Sequence, residues 1–123
     1  MKNAPRKILI VEDDPDIVLA LTTILEDEGY AVVAIDSGKH LSENMPPSNL
    51  PDLILLDMLL SGQDGREIAK QLKADPSTRQ IPILMLSAYP TIEQEAKAAG
   101  ADSFLAKPFE LDDLLAKVTS YLT

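Results

Sequence analysis

The sequence predicts an α/β fold, an open five-stranded parallel sheet with helices on both faces. Three observations predict it. Short apolar runs alternate with helical patterns five times along the chain, each run is continuous rather than alternating, and the composition offers an aliphatic core. A strand covered on both faces needs an unbroken apolar run, and alternation of such strands with helices marks a parallel sheet. The chain of 123 residues suits one domain. Apolar residues are 46% and aromatic residues only 4%, so the core is aliphatic.

The elements follow in order. Ile8-Leu9-Ile10-Val11 is the first strand and stops at Glu12-Asp13-Asp14-Pro15. There Asp14 suits a helix cap and Pro15 the first helical position. Ile17, Leu21, Ile24 and Leu25 recur at helical spacing, and Gly29 ends that helix. Ala31 to Ile35 is the second strand, followed by a short helix over residues 37–45. The loop Pro46-Pro47-Ser48-Asn49-Leu50-Pro51 is too short to divide domains. Leu53-Ile54-Leu55-Leu56 is the third strand and runs straight into Asp57. Ser61-Gly62-Gln63-Asp64-Gly65 is a loop leading to a helix that carries Ile68, Ala69 and Leu72. Ile83-Leu84-Met85-Leu86 is the fourth strand. Thr91-Ile92-Glu93-Gln94 has the capping-box pattern that opens the fourth helix, which Gly100 closes. Ser103 to Ala106 is a short fifth strand. Leu111, Leu114, Leu115, Val118 and Leu122 stripe the last helix.

Composition excludes several classes. Without cysteine there is no disulfide or thiolate metal site, and one histidine builds no zinc cluster. The N-terminus is basic, but the apolar run behind it is too short for a signal peptide or membrane span, which predicts a cytoplasmic protein with no membrane contact. The net charge of −9 repels a polyphosphate. Arg66, Lys70 and Lys73 stand at helical spacing and read as a solvated helix face, so no direct nucleic-acid binding is expected. His40 and the methionines Met58 and Met85 read as a surface residue and core filler.

In an open parallel sheet, ligands bind outside the carboxyl ends of the strands. The residues there are Glu12-Asp13, Asp36, Asp57, Ser87 and Lys107. Three or four carboxylates thus meet a hydroxyl and a lysine on one edge. Two unit charges at 4 Å repel by about 4 kcal/mol at an effective dielectric near 20. A hard divalent cation relieves that, and Mg²⁺ suits oxygen ligands that it bridges to a phosphate. Asp36, before Ser37-Gly38, and Asp14, before Pro15, read as loop and cap residues. Asp57 has no cap pattern directly after it, and Pro108 fixes the backbone beside Lys107. A phosphoryl group near Asp57 would meet Lys107, Ser87 and the metal.

These residues resemble the receiver domain of bacterial two-component response regulators, as one domain over 1–123 with its core at about 7–122. The matching motifs are Ile10-Val11-Glu12-Asp13-Asp14-Pro15, Leu55-Leu56-Asp57-Met58, Gln63-Asp64-Gly65, Leu86-Ser87-Ala88 and Lys107-Pro108-Phe109, each placed after a predicted strand. The resemblance implies a flavodoxin-like (βα)5 doubly wound sandwich with strand order 2-1-3-4-5. It implies that Asp57 accepts a phosphoryl group from a phosphohistidine on a sensor histidine kinase or a histidine phosphotransfer protein. It implies Mg²⁺ as cofactor, held by Asp13 directly, Glu12 largely through water, Asp57 and the backbone carbonyl of Leu59. It makes Ser87 and Phe104 switch residues, with Phe104 turning inward as Ser87 moves, and pairs Lys107 with the phosphoryl group. The Lys107–Pro108 bond is expected to be cis. The surface of the fourth helix, fifth strand and fifth helix would serve partner binding or a homodimer. Ser61 stands where the family often has proline, and Glu12 where it often has aspartate.

Other functions fit less well. Haloacid-dehalogenase-like phosphatases need a second aspartate two residues after the nucleophile, where Leu59 stands, so no turnover enzyme is expected. A flavodoxin-like electron carrier wants a Ser/Thr/Gly-rich phosphate loop after the first strand, and a P-loop protein its Gly-Lys-Ser/Thr. A receiver fold used as a phosphorylation-independent interaction module remains the alternative. Leu59 and Tyr89 admit two readings: they shield the acyl phosphate from an in-line water and slow its hydrolysis, or they merely pack at the rim. The chain ends with its fifth helix, which leaves a stand-alone receiver and one cut from a longer protein both open.

Overall fold

The computed structural model describes residues 5–60, 62–88 and 93–122. Expectations at Met1 to Ala4, Ser61, Tyr89 and Thr91-Ile92 lie outside the described residues. The elements run β1 (Lys7–Val11), α1 (Pro15–Asp27), β2 (Ala31–Ile35), β3 (Leu53–Asp57), β4 (Leu59–Leu60) and β5 (Gln63–Asp64). Then come α2 (Gly65–Ala74), β6 (Ile83–Ser87), α3 (Glu93–Ala98), β7 (Ser103–Ala106) and α4 (Leu111–Leu122).

Five strands form one parallel sheet in the order β2-β1-β3-β6-β7. Counted along the chain without the short ribbon β4–β5, that order is 2-1-3-4-5, as the resemblance implies. Alternate side chains of each strand enter two cores. Ile8, Ile10, Leu53, Leu55, Leu84 and Leu86 pack with Leu21 and Leu25 of α1 and Leu114, Val118 and Leu122 of α4. Leu9, Val11, Ile54, Leu56, Ile83 and Met85 pack with Ile68, Ala69 and Leu72 of α2 and Ala96 of α3. The central strand β3 is buried at all five positions, which is why its apolar run has no polar interruption before Asp57. Each such side chain contributes about 1.5–3 kcal/mol of transfer free energy.

Two segments differ from the sequence expectation. The predicted helix over residues 37–45 is instead two 3₁₀ turns, Gly38–His40 and Ser42–Asn44. The Ser37 hydroxyl caps the first by accepting from Lys39 N at 3.3 Å. Gly38 is a poor helix former, Pro46-Pro47 prevents extension, and Leu41 and Met45 alone reach the core. The segment after Asp57, expected as a plain loop, contains the antiparallel ribbon β4–β5, with Leu59 opposite Asp64 and Leu60 opposite Gln63. Both features border the carboxyl edge of the sheet. Among the described residues, no helix is long and apolar enough to cross a membrane.

Candidate functional site

Strand register brings the chemistry together. Val11 of β1 sits level with Leu56 of β3, so Glu12 and Asp57 emerge side by side. Asp57 pairs with Leu86 of β6, and Ser87 pairs with Ala106 of β7, directly before Lys107. Two backbone bonds tighten this edge: Met58 N donates to Leu86 O at 2.8 Å, and Lys107 N donates to Ser87 O at 2.7 Å. The Lys107–Pro108 peptide is cis.

Carboxylate oxygens of Glu12, Asp13 and Asp57 all lie within 4.8 Å of one another. Glu12 and Asp57 are buried, at 2% and 5% exposure. Lys107 Nζ lies between them, donating to Glu12 Oε1 at 2.7 Å and Asp57 Oδ1 at 3.1 Å. The second Glu12 oxygen accepts from the Asp13 and Asp14 amides at 3.0 and 3.2 Å. Burial pushes the Glu12 carboxyl up, the Asp57 charge adds to this, and the Lys107 hydrogen bond opposes it. For Lys107, burial favours the neutral form, but the hydrogen bonds to Glu12 and Asp57 outweigh it and hold the ammonium above its ordinary range.

The donor set decides which group suits the pocket. Three clustered carboxylates face one ammonium, an excess of negative charge at a mostly buried edge. All three offer oxygen, with no sulfur or imidazole among them, which fits a hard cation such as Mg²⁺. Asp14 is used elsewhere, accepting from the Asp16 and Ile17 amides as the cap of α1. Asp36 is exposed and outside the cluster.

The remaining sequence candidates occupy several parts of the fold. Ser87 is buried, its backbone at the site edge. Phe104 is already buried in the core that holds Met58, Met85 and Ala96. Leu59 is 51% exposed. Met58 and Met85 are fully buried core residues. His40 is exposed and 3.4 Å from Glu43. The basic helical series is neutralised: Arg66 pairs with Asp64 and Glu95, Lys70 with Glu67, and Lys73 with Asp102.

Sequence reasoning missed how the loop after Asp57 is fastened. A Cβ at Gly65 would meet the Asp57 carbonyl oxygen, and it would stand 2.9 Å from the Met58 Cα, so only glycine lets α2 start against the strand end. Gly65 N then donates to Met58 O at 2.8 Å. The Gln63 amide oxygen accepts from Gly38 N at 2.7 Å, which ties the ribbon to the second crossover, the segment between β2 and β3. The signal for the first was the Asp64-Gly65 pair. Nothing local signals the second, because its partners are 25 residues apart.

Known proteins of the same family resemble the chain in sequence and in fold. The family model described as response regulator receiver domain matches residues 8–119. The DNA-binding dual master transcriptional regulator RpaA of Synechocystis is 38% identical over 121 residues, covering 94% of this chain and 48% of that protein. The chain spans about half the length of the curated relatives it matches. A crystal structure described as a putative response regulator from Chloroflexus aurantiacus superposes with a TM-score of 0.89 at 36% identity, covering 97% of this chain and 98% of that one. The receiver domain of a sensor histidine kinase from Pseudomonas aeruginosa, solved with magnesium coordinated in its active-site cleft, superposes with a TM-score of 0.84 at 27% identity, covering 97% and 98%.

Proposed function

The chain belongs to the response regulator receiver family of two-component signalling, a family of signalling modules rather than classical enzymes, and from that premise we propose that Asp57 is its phosphoacceptor. The observation that carries this is the Asp57 carboxylate itself, buried at the end of β3, 3.1 Å from Lys107 and within 4.8 Å of the Glu12 and Asp13 carboxylates. The receiver unit takes in residues of about 7–122, and its placement in the cell is the cytoplasm.

The donor is a phosphohistidine on a sensor histidine kinase or a histidine phosphotransfer protein. An Asp57 carboxylate oxygen attacks phosphorus, the new O–P bond forms, and the N–P bond breaks. The electron pair remains on the imidazole nitrogen, which takes up a proton. Lys107 offers its ammonium to the transferring oxygens, as it already does to Asp57, and the Ser87 hydroxyl offers a hydrogen bond to them. When bound, Mg²⁺ would supply positive charge to the same oxygens; Asp13, Asp57 and the Leu59 carbonyl would hold it directly and Glu12 largely through water. The chain catalyses only its own phosphorylation and dephosphorylation. An apolar, half-exposed Leu59 offers the attacking water no hydrogen bond, which favours a long-lived acyl phosphate.

Phosphorylation adds about −1.5 to −2 of charge. Contacts from Ser87 and Lys107 to that charge favour the arrangement in which Phe104 is buried, by population, over one in which its ring is exposed. The surface of α3, β7 and α4 then binds a partner or a second copy. Incubation with acetyl phosphate and Mg²⁺ is expected to add one phosphoryl group to the wild type by intact mass and none to Asp57→Asn. Equal modification of both would remove Asp57 from the role. No modification of either would leave the phosphorylation-independent interaction module.

A further inference from the structure

The ribbon β4–β5 leaves β3 immediately after Asp57 and carries Leu59, whose carbonyl belongs to the cation site proposed above. Its inner end is fixed by Gly65 N on Met58 O, at 2.8 Å. Its outer part reaches the cleft shared by Asp13, Asp36 and Gln63. There Gln63, cross-strand neighbour of Leu60, accepts from the Gly38 amide through Oε1 at 2.7 Å.

Both partners are shaped for this bond. Gly38 opens the first 3₁₀ turn, where backbone N–H groups have no partner within the turn. The Ser37 hydroxyl takes the Lys39 amide at 3.3 Å, and Gln63 takes the Gly38 amide. A Cβ at position 38 would stand 2.8 Å from Gln63 Nε2 and 3.1 Å from Ile68 Cδ1. Any larger residue therefore displaces the glutamine amide or the α2 side chain beneath it. An aliphatic residue at 63 would fill the same volume but leave the Gly38 N–H without this acceptor.

We propose that Gln63 is a positioning residue: by bonding Gly38 it fastens the β4–β5 ribbon to the second crossover and fixes the Leu59 carbonyl against the carboxylates of Glu12, Asp13 and Asp57. The bond spans two segments that would otherwise border the site independently. The inference rests on reading this edge as a Mg²⁺ site. Supports that orient metal ligands from outside typically alter affinity by tenfold or more when removed.

The test is a Mg²⁺ titration of the full chain followed by backbone amide shifts in NMR. Gln63→Met keeps the length and removes the acceptor, and Gly38→Ala displaces the glutamine from the other side. Each is expected to weaken Mg²⁺ affinity about tenfold, and the double variant no further than either single one. Faster exchange of the Gly38 amide in Gln63→Met, with an unchanged urea midpoint in EDTA, separates positioning from loss of fold. Unchanged Mg²⁺ affinity in Gln63→Met beside that faster exchange overturns the inference, as do losses that add. If Gly38→Ala does not fold, Gln63→Met alone decides. If the wild type itself shows no Mg²⁺-dependent shifts at Asp13 and Asp57, the parent reading of the site fails, and this inference with it.

Discussion

Lys107 is held by two carboxylates, and that decides what its removal does. Lys107→Met leaves Glu12 and Asp57 buried and facing each other without their cation. Leaving a buried charge unpaired costs up to about 3–5 kcal/mol, and the residual solvent contact of Lys107 brings the expectation nearer 2 kcal/mol. The pH dependence has a fixed sign. Burial already raises the folded Glu12 above its ordinary range, so the folded state takes up a proton at higher pH than the unfolded chain. Stability from this group therefore rises as pH falls through the folded value toward the ordinary glutamate range. Losing Lys107 removes the hydrogen bond that opposes the shift and enlarges the effect. Urea midpoints in EDTA should show the variant penalised most at high pH and progressively less as pH falls toward the ordinary glutamate range. A penalty independent of pH would mean that Lys107 acts through packing alone.

At the scale of elements, Arg66 joins two helices that the chain separates. Its Nε lies 3.0 and 3.1 Å from the Asp64 oxygens, and its Nη1 lies 2.7 Å from Glu95 on α3. Asp64 also caps α2, accepting from Arg66 N at 2.9 Å. Asp64→Ala should cost about 1 kcal/mol through the lost cap, whereas Glu95→Gln breaks an exposed pair worth about 0.5 kcal/mol or less. The hydrogen bonds from the Arg66 side chain hold the Asp64 carboxyl below its ordinary range. Its contribution is thus present above the ordinary aspartate value and lost as pH falls through the lowered one. Amide exchange within α3 should quicken in Glu95→Gln while β3 and β6 are unaffected; unchanged exchange in α3 would show the bridge does not restrain that helix. This bridge also marks the limit of what the sequence made legible. The strands read correctly because each is a continuous apolar run, and the acidic centre followed because the carboxyl ends of parallel strands share one edge. Residues 37–45 were expected as one helix, but Gly38 and Pro46-Pro47 leave no room for α turns. The ribbon after Asp57 and the Gln63–Gly38 bond were hidden because two-residue strands have no period, and a tertiary hydrogen bond leaves no local pattern.

The whole molecule carries a net charge of −9, and part of that charge is concentrated where the sheet ends. Self-repulsion of this kind weakens the compact state and is partly relieved by any salt. A specific cation site predicts more than screening. Binding to the folded chain alone stabilises it by RT ln(1 + [L]/Kd), about 2.7 kcal/mol at a hundredfold excess over Kd. For a domain of this size that corresponds to a rise in Tm of about 10 °C. Thermal unfolding at constant ionic strength should therefore show Mg²⁺ stabilising the wild type well beyond NaCl, and Asp13→Asn losing most of the difference. Beryllofluoride with Mg²⁺ should add a further increment that Asp57→Asn lacks, since that fluoride binds as a phosphoryl stand-in on the same carboxylate. Protein concentration separates the two uses of the α3–β7–α4 surface. If that surface pairs two copies, the added increment grows with protein concentration, because association then contributes to stability. If it serves a different partner, the increment is the same at every concentration. Mg²⁺ and NaCl giving equal shifts at equal ionic strength would reduce the acidic cluster to a patch of general repulsion and remove the cation site.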